Sequence, residues 1–344
     1  MSIDESSYGP AHPEVATDLN NLAGLLSDTN RLSEAEPLFR RALSISESSY
    51  GPAHPAVATG LNNLAGLLSD TNRLSEAEPL YRRALSIKES SYGPSHPAVA
   101  TGLNNLALLL SDTNRQSEAE PLYRRALSID ESSNGPDHPA VARDLNNLAG
   151  LLSDTNRLSE AEPLFRRALS IDESSYGPAH PVVAIRLNNL AILLEATNRL
   201  SEAEPLYRRA LSIDESSYGP AHPVVAIRLN NLAGLLSDTN RQSEAEPLYR
   251  RALSICESSY GPDHPQVALG LNNLAVLLRA TNRLSEAEPL ARRAVSILVR
   301  FQVETGHEHQ RLAEYTGNYE KLLGQLGLDA AATASRLRSA LNPK

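Results

Sequence analysis

The chain has 344 residues and a formal net charge of −9, and apolar residues make up 41% of it. Aromatic residues contribute only 4% and tryptophan is absent, so Leu and Ala must form most of the core. The acidic balance argues against nucleic acid as a partner, because binding a phosphate backbone needs a basic face. No apolar run reaches the roughly 18 residues that would indicate a membrane span, so we expect no membrane partner either.

The sequence is a tandem repeat whose phase is set by a His-Pro dipeptide recurring every 42 residues from His12. Residues 1–11 match the end of a repeat and are predicted to be the remnant of a preceding one. Seven repeats follow, at 12–53, 54–95, 96–137, 138–179, 180–221, 222–263 and 264–305. Residues 306–344 diverge and are predicted to form capping helices, because a solenoid closes its core with an atypical terminal unit.

Each repeat predicts two helices, and the first runs from Pro13 to about Asp28 in repeat one. Proline suits a first helical position, where its missing N–H would be unpaired anyway. Apolar residues at spacings of three and four form one stripe on this helix: Val15, Leu19, Leu22, Ala23 and Leu26. Thr29-Asn30 is expected to end this helix, because asparagine tolerates the left-handed conformation that is common after a helix.

The second helix is predicted to open with a capping box, in which Ser33 and Glu36 bond each other's backbone N–H groups. Gly51 and Pro52 follow Tyr50 and are expected to stop this helix. One such hairpin cannot bury both faces of both helices, whereas stacked hairpins can. The pattern therefore predicts an all-α solenoid with contacts between neighbouring repeats.

The core spacing decides between the known two-helix repeat classes. It matches the tetratricopeptide signature at Leu19, Leu22, Ala23, Leu26, Ala35, Phe39 and Ala42. The longer motif, "HPAVATGLNNLA" followed by "SEAEPLYRRALSI", resembles the 42-residue repeats of the kinesin light chain family and its bacterial relatives over about 12–305. That resemblance implies a right-handed superhelical α-solenoid that binds proteins. The light chain's heptad coiled coil is absent, so the motor role does not transfer.

The motifs of catalysis and metal binding are missing from the repeats. Histidines of successive repeats should lie about 10 Å apart, because packed helices are 8–10 Å apart, whereas zinc ligands lie about 2 Å from one ion. Each His is instead expected to cap or pack at the start of its first helix. No GxSxG, P-loop or GxGxxG motif occurs. We therefore expect no enzyme, no cofactor and no metal.

Differences between the repeats concentrate on the first helix, at positions 17, 18, 24, 27 and 28 and their equivalents 42 residues apart. Positions 17, 20, 21, 24, 27 and 28 share one side of the helix. In tetratricopeptide folds, as the resemblance implies, this side lines the concave groove. Variation here favours ligand recognition, although an unconstrained, drifting surface is the alternative.

The unvarying members of that side are asparagine pairs, which offer a donor and an acceptor to an extended peptide backbone. The resemblance supports peptide contact by at least one member, and the alternative is that one amide of each pair bonds to the adjacent helix. The pairs are Asn20-Asn21, Asn62-Asn63, Asn104-Asn105, Asn146-Asn147, Asn188-Asn189, Asn230-Asn231 and Asn272-Asn273.

The varying positions divide the predicted groove into two halves. The first four repeats carry aspartates: Asp18, Asp28, Asp70, Asp112, Asp144 and Asp154. Arg143 of repeat four is also predicted to contact the ligand. Apolar and basic residues, predicted to select the ligand, concentrate in repeats five to seven: Ile185, Arg186, Ile192, Ile227, Arg228, Leu269, Val276 and Arg279. This half is predicted to bind a peptide that mixes apolar and acidic residues.

Three functional interpretations follow from these patterns. The leading one is a non-catalytic scaffold that binds a peptide or partner protein in its groove. The second is a structural module whose repeats stack end to end between molecules. The third, reading one RNA base per repeat, needs a basic groove with stacking side chains, and the aspartates argue against it.

The lone Cys256 is compatible with a reducing cytosol, so a cytoplasmic location is expected.

Overall fold

The protein was described by a computed structural model covering residues 8–29, 31–306, 309–328 and 330–341. Within these ranges the chain forms α-helices and no β-strand. In chain order the helices are α1 (Pro13–Asp28), α2 (Leu32–Tyr50), α3 (Pro55–Asp70), α4 (Leu74–Tyr92), α5 (Pro97–Asp112), α6 (Gln116–Asn134), α7 (Pro139–Asp154), α8 (Leu158–Tyr176), α9 (Pro181–Ala196), α10 (Leu200–Tyr218), α11 (Pro223–Asp238), α12 (Gln242–Tyr260), α13 (Pro265–Ala280), α14 (Leu284–Thr305), α15 (Leu312–Gln325) and α16 (Ala330–Leu341).

Histidine side chains start the first helices, as predicted. The Nδ1 atom of His12 accepts a hydrogen bond from the backbone N–H of Glu14 at 3.2 Å, and His54 does the same for Ala56. Tyr50 from the preceding second helix stacks on His54, with ring centroids 4.5 Å apart. The repeated His therefore has a structural role in satisfying a helix terminus.

Asparagine forms the turn between the two helices of a repeat. Asn72 has a φ of 59°, and its equivalents up to Asn282 share this left-handed conformation, which confirms the predicted role of this position. Asn30 itself lies outside the described residues. At the other end of the hairpin, Gly51 follows α2 with a φ of 85°, a conformation that a side chain would strain.

The predicted capping box at the start of the second helix is wrong. Helix α2 begins at Leu32, its N-cap residue is Arg31, and no side chain caps it. Arg31 instead forms an ion pair with Glu34 at 2.7 Å. Glu36 is held by Arg73 of the next repeat at 2.8 Å. Charge-assisted bonds of this kind are about twice as strong as neutral ones. Both glutamates therefore pair with arginine rather than cap the helix.

The helices pack into two compact units, 1–175 and 176–344. In both, a first helix packs on its own second helix, and that second helix packs on the next first helix. In the first unit, for example, Val57, Leu61 and Ile87 of repeat two form one buried cluster against which Leu43 of repeat one packs. Each unit is therefore an α-solenoid of tandem two-helix repeats, as the sequence predicted.

The last helices continue this packing in the second unit. Helices α15 and α16 both pack on α14, and α15 also contacts α13. The amide of Asn318 donates to Oδ1 of Asn272 at 3.2 Å, across 46 residues rather than the 43 that separate equivalent pairs such as Asn62 and Asn105. Parts of the predicted cap (307–308, 329 and 342–344) and of the predicted remnant (1–7) lie outside the described residues.

Candidate functional site

A stripe of exposed and partly buried positions runs along each first helix. In α9 it consists of Ile185, Asn189, Ile192 and Ala196, and we call these positions and their equivalents the exposed stripe. Their spacing of four, three and four residues places them on one side of the helix. Ile185 is 43% exposed and Ile192 is 45% exposed. Apolar side chains on this side are available to a ligand.

Apolar residues occupy the exposed stripe mainly in the second unit. Ile227 of α11 is 51% exposed, and Leu269 and Val276 of α13 are partly buried. Several first-unit equivalents are Thr or Gly, although Leu108 is exposed there as well. The apolar residues predicted to select a ligand therefore lie on accessible surface.

The asparagine pairs join successive repeats. The amide of Asn105 donates to Oδ1 of Asn62 at 2.8 Å, and that of Asn231 donates to Oδ1 of Asn188 at 2.8 Å. Asn147 and Asn104 form the same bond at 3.3 Å. The second asparagine of one repeat thus bonds to the first asparagine of the repeat before it. We call this series the amide ladder.

Burial separates the two members of each pair. The first member is buried or partly buried: Asn20, Asn62, Asn104, Asn146, Asn188, Asn230 and Asn272. The second member is exposed or partly buried: Asn21, Asn63, Asn105, Asn147, Asn189, Asn231 and Asn273. Where the amide ladder forms, it uses part of the hydrogen-bonding capacity that the sequence had suggested for a peptide.

Two arginines of the predicted ligand-binding set are buried, and we correct their assignment. Arg228 bonds to Asp214 of the preceding second helix at 2.7 Å, with side-chain exposures of 7% and 1%. Arg186 is 7% exposed. A guanidinium buried in this way cannot attract an acidic peptide from solvent, because forming that contact would require it to leave the protein interior.

A third arginine, Arg143, lies between two buried carboxylates. It contacts Asp130 at 2.9 Å and Asp144 at 3.0 Å, and Asn104 also donates to Asp144 at 2.7 Å. Burial raises the pKa of Asp144 to about 7, Arg143 opposes that rise, and Asp130 adds to it. Arg143 therefore compensates internal charge and contributes less to a ligand than predicted.

Arg279 differs from the other three arginines. Its Nη1 atom is buried and has no hydrogen-bond partner. It lines a small cavity with Asn272, Val276, Asn318 and Leu322. No ion pair joins Arg279 to a carboxylate within the described parts of the chain. Of the four predicted arginines, Arg279 alone retains an uncompensated charge at the surface of the first helices.

The aspartates of the first unit also divide into two groups. Asp144 is buried and Asp18 is partly buried, whereas Asp70, Asp112 and Asp154 are exposed at the ends of their helices. The side chain of Asp28 lies outside the described residues. Burial raises the pKa of Asp112, and the carboxylate of Asp154 adds to the shift. The exposed negative charge among these predicted aspartates therefore lies at the C-terminal ends of the first helices.

The residues that contact position 18 and its equivalents were not predicted from the sequence. Asp130 and Asp214, on second helices, face Asp144 and Arg228 of the next repeat. At the junction between repeats two and three, Lys88 lies beside Gly102, 3.7 Å from where a Cβ atom would be. The available signal was that positions 46 and 18 change together between successive repeats.

None of the described helices is long and apolar enough to cross a membrane. In the same described ranges, no three His, Cys, Asp or Glu side chains group as ligands for one metal ion.

Comparisons with known proteins support a repeat fold. A family model described as a tetratricopeptide repeat matches residues 1–48, 19–90, 57–132, 118–174, 157–216, 187–258 and 243–299. A solved Podosopora anserina protein, a candidate kinesin light chain with nearly identical TPR-like repeats, is 21% identical with a TM-score of 0.52, covering 60% of this chain and 98% of its own. BtubC (BKLC) from P. vanneervenii is 22% identical with a TM-score of 0.53, covering 72% and 93%. No curated protein matches the chain.

Proposed function

Because the chain belongs to the tetratricopeptide repeat family, we propose that it is a non-catalytic scaffold that binds an extended peptide or partner protein along the exposed stripe. The observation that carries this proposal is the recurrence of accessible Ile185 and Ile227 at equivalent positions of successive first helices, with Ile192 also exposed on the same side of α9. Exposed apolar side chains that recur in register favour a ligand, because contiguous apolar surface marks interaction sites.

The charge of the second unit favours an acidic component in that ligand. Arg279 has no carboxylate partner in the described ranges. It is the neighbour of Ala280, which occupies a position of the exposed stripe. Arg279 as a whole is only partly buried, so a ligand carboxylate can pair with its guanidinium, and charge-assisted bonds are the stronger class. Arg186 and Arg228 are omitted from the proposal because both are buried.

A peptide selection on the full chain tests the proposal. Random nonapeptides displayed on phage are enriched on the protein, and the best peptide is then measured by fluorescence anisotropy. Ile192→Asp should weaken its binding about tenfold or more, since it removes apolar contact and adds a like charge. Arg208→Ala is the control, because Arg208 is exposed on the second helix of the same repeat and pairs with Glu204. Failure to enrich any peptide, or equal effects of the two variants, contradicts the proposal.

A second candidate, end-to-end self-association, is supported by Leu25. This residue is 61% exposed, whereas its equivalents Leu67 and Leu109 are 3% and 2% exposed. A copy of the chain that packs on α1 would cover Leu25. Light scattering should then show a mass that rises with concentration, and Leu25→Glu should abolish the rise. A constant monomer mass contradicts this candidate.

A further inference from the structure

A cavity of about 110 Å³ lies between the first helices of repeats six and seven in the second unit. We call it the junction pocket. It is lined by Ile227 and Asn230 of α11, by Cys256 and Tyr260 of α12, and by Leu269 of α13. Ile227 is also 51% exposed on the exposed stripe, so the pocket adjoins accessible apolar surface.

The amide ladder leaves one acceptor unused at this pocket. Oδ1 of Asn230 is buried and has no hydrogen-bond partner. At the preceding junction, Oδ1 of the equivalent Asn188 accepts from Asn231 at 2.8 Å. At the following one, Oδ1 of Asn272 accepts from Asn318 at 3.2 Å. A buried acceptor without a donor costs about 1–3 kcal/mol, so a ligand N–H at Asn230 would remove that cost.

Small side chains occur where the preceding junction has large ones. At the junction between repeats five and six, Arg228 and Asp214 fill the space between the helices with a buried ion pair. The equivalent residues at the next junction are Gly270 and Cys256. Cys256 is buried and lines the junction pocket. The pocket is therefore built by residue choices that distinguish this junction from its neighbour.

We propose that the junction pocket receives one aliphatic side chain of an extended peptide, whose backbone N–H donates to Oδ1 of Asn230. An apolar cavity of about 150 Å³ is large enough for benzene, so the smaller junction pocket suits a four-carbon group such as that of Leu or Ile. Ile227 and Leu269 supply the apolar contact. This inference rests on the proposed function and names the ligand class that the site accepts.

The position of Arg279 adds a charge requirement to the ligand. Arg279 follows Leu269 by ten residues on α13, which corresponds to about 15 Å along a helix. An extended chain covers about 3.3 Å per residue, so about five residues link the two points. The bound peptide therefore carries an acidic residue about five positions from its aliphatic one.

The experiment compares selections of random phage-displayed nonapeptides on the full wild-type chain and on three variants. Cys256→Leu fills the junction pocket, and the buried Leu298 at the equivalent position of repeat seven indicates that the fold accepts leucine there. Asn230→Ala removes the acceptor without filling the pocket. Arg279→Gln removes the charge. Arg250→Ala is the matched control, because Arg250 is half-exposed on α12 and pairs with Glu246 within that helix.

Wild-type selection should enrich Leu, Ile or Val with an acidic residue about five positions away. A synthetic peptide of that sequence should bind Cys256→Leu about tenfold or more weakly, because its side chain is no longer buried. It should bind Asn230→Ala about three- to tenfold more weakly. Selection on Arg279→Gln should lose the acidic preference, and Arg250→Ala should match the wild type.

The outcomes separate this inference from the function on which it rests. Peptides that are enriched without an aliphatic preference, or that bind Cys256→Leu as tightly as the wild type, overturn the junction pocket and leave the scaffold function standing. Unchanged binding to Asn230→Ala overturns the hydrogen bond to Asn230. A selection that enriches no peptide on the wild-type chain overturns both proposals.

Discussion

Two equivalent junctions between repeats bury different sets of charges. One lies before repeat four, in the first unit, and the other lies before repeat six, in the second. Asp130 and Asp214 occupy equivalent positions, and each is 1% exposed. Asp214 meets a single buried guanidinium, that of Arg228. Asp130 meets a second buried carboxylate, Asp144, and both share Arg143, which is 38% exposed. The same helix packing thus encloses a balanced pair in one unit and an excess negative charge in the other.

The largest expected effect comes from removing one partner of the buried Arg228–Asp214 ion pair. Arg228→Met should lower the free energy of unfolding by about 3–5 kcal/mol, because it leaves Asp214 buried without its partner. Urea denaturation of the full chain, followed by circular dichroism, measures the change. The double variant Asp214→Leu with Arg228→Met is the control and should recover most of the loss, since no charge stays buried. A loss well below 1 kcal/mol in the single variant would contradict the pairing.

The unbalanced junction should respond to pH. The pKa of Asp144 is raised to about 7 in the folded protein, mainly by burial, against about 3.9 for a free Asp side chain. The folded state therefore holds this proton to a higher pH than the unfolded state. The stabilisation is complete below the ordinary pKa and is lost as pH rises through about 7. Between pH 5 and 8, the wild type should lose about 1–3 kcal/mol relative to Asp144→Asn.

A double variant checks the origin of that pH response. Arg143→Ile with Asp144→Arg gives repeat four the Ile-Arg pair that repeat six carries at 227–228. The new arginine would face Asp130 as Arg228 faces Asp214, so the loss between pH 5 and 8 should disappear. Urea midpoints at both pH values measure it. If stability still falls between pH 5 and 8 in Asp144→Asn and in this double variant, groups other than Asp144 cause the pH response.

The smallest expected effect concerns an arginine pair on the second helices, present in both units. Arg82 is half-exposed and pairs with Glu78 within its own helix, so Arg82→Ala should cost about 0.3–0.5 kcal/mol. Arg83 reaches the preceding repeat, where it contacts Glu47 at 2.7 Å and the carbonyl of Pro52 at 3.2 Å. Arg83→Ala should cost more, about 1 kcal/mol, because two junction contacts are lost. Equal urea midpoints for the two variants would contradict this ranking.

The contacts of Arg83 also explain an invariant feature of the sequence. Every repeat carries two consecutive arginines at this place in its second helix, from Arg40-Arg41 to Arg292-Arg293. The second arginine of the pair holds neighbouring repeats together, so packing is sufficient to explain why it does not vary. The exposed stripe must therefore be judged by its own exposure, which Ile185, Ile192 and Ile227 provide.

Local signals determined the helices of this protein. The bounds of α1, the capping role of His12 and the left-handed turn at Asn72 could all be predicted, because each depends on residues a few positions apart in sequence. The capping box at Ser33 was wrong because α2 begins at Leu32, which places Ser33 inside the helix, and Glu36 is held by Arg40 of its own helix and by Arg73 of the next repeat. A contact across 37 residues leaves no local pattern in either helix.

The sequence by itself determined the repeat, its helices and the side of the first helix on which the copies differ. Only the tertiary structure decided which varying residues a ligand can reach. Ile227 and Arg228 are adjacent in sequence, yet Ile227 is 51% exposed while Arg228 is 6% exposed. Consecutive residues of a helix point about 100° apart, and that rotation carries Arg228 under the preceding second helix, where Asp214 holds it.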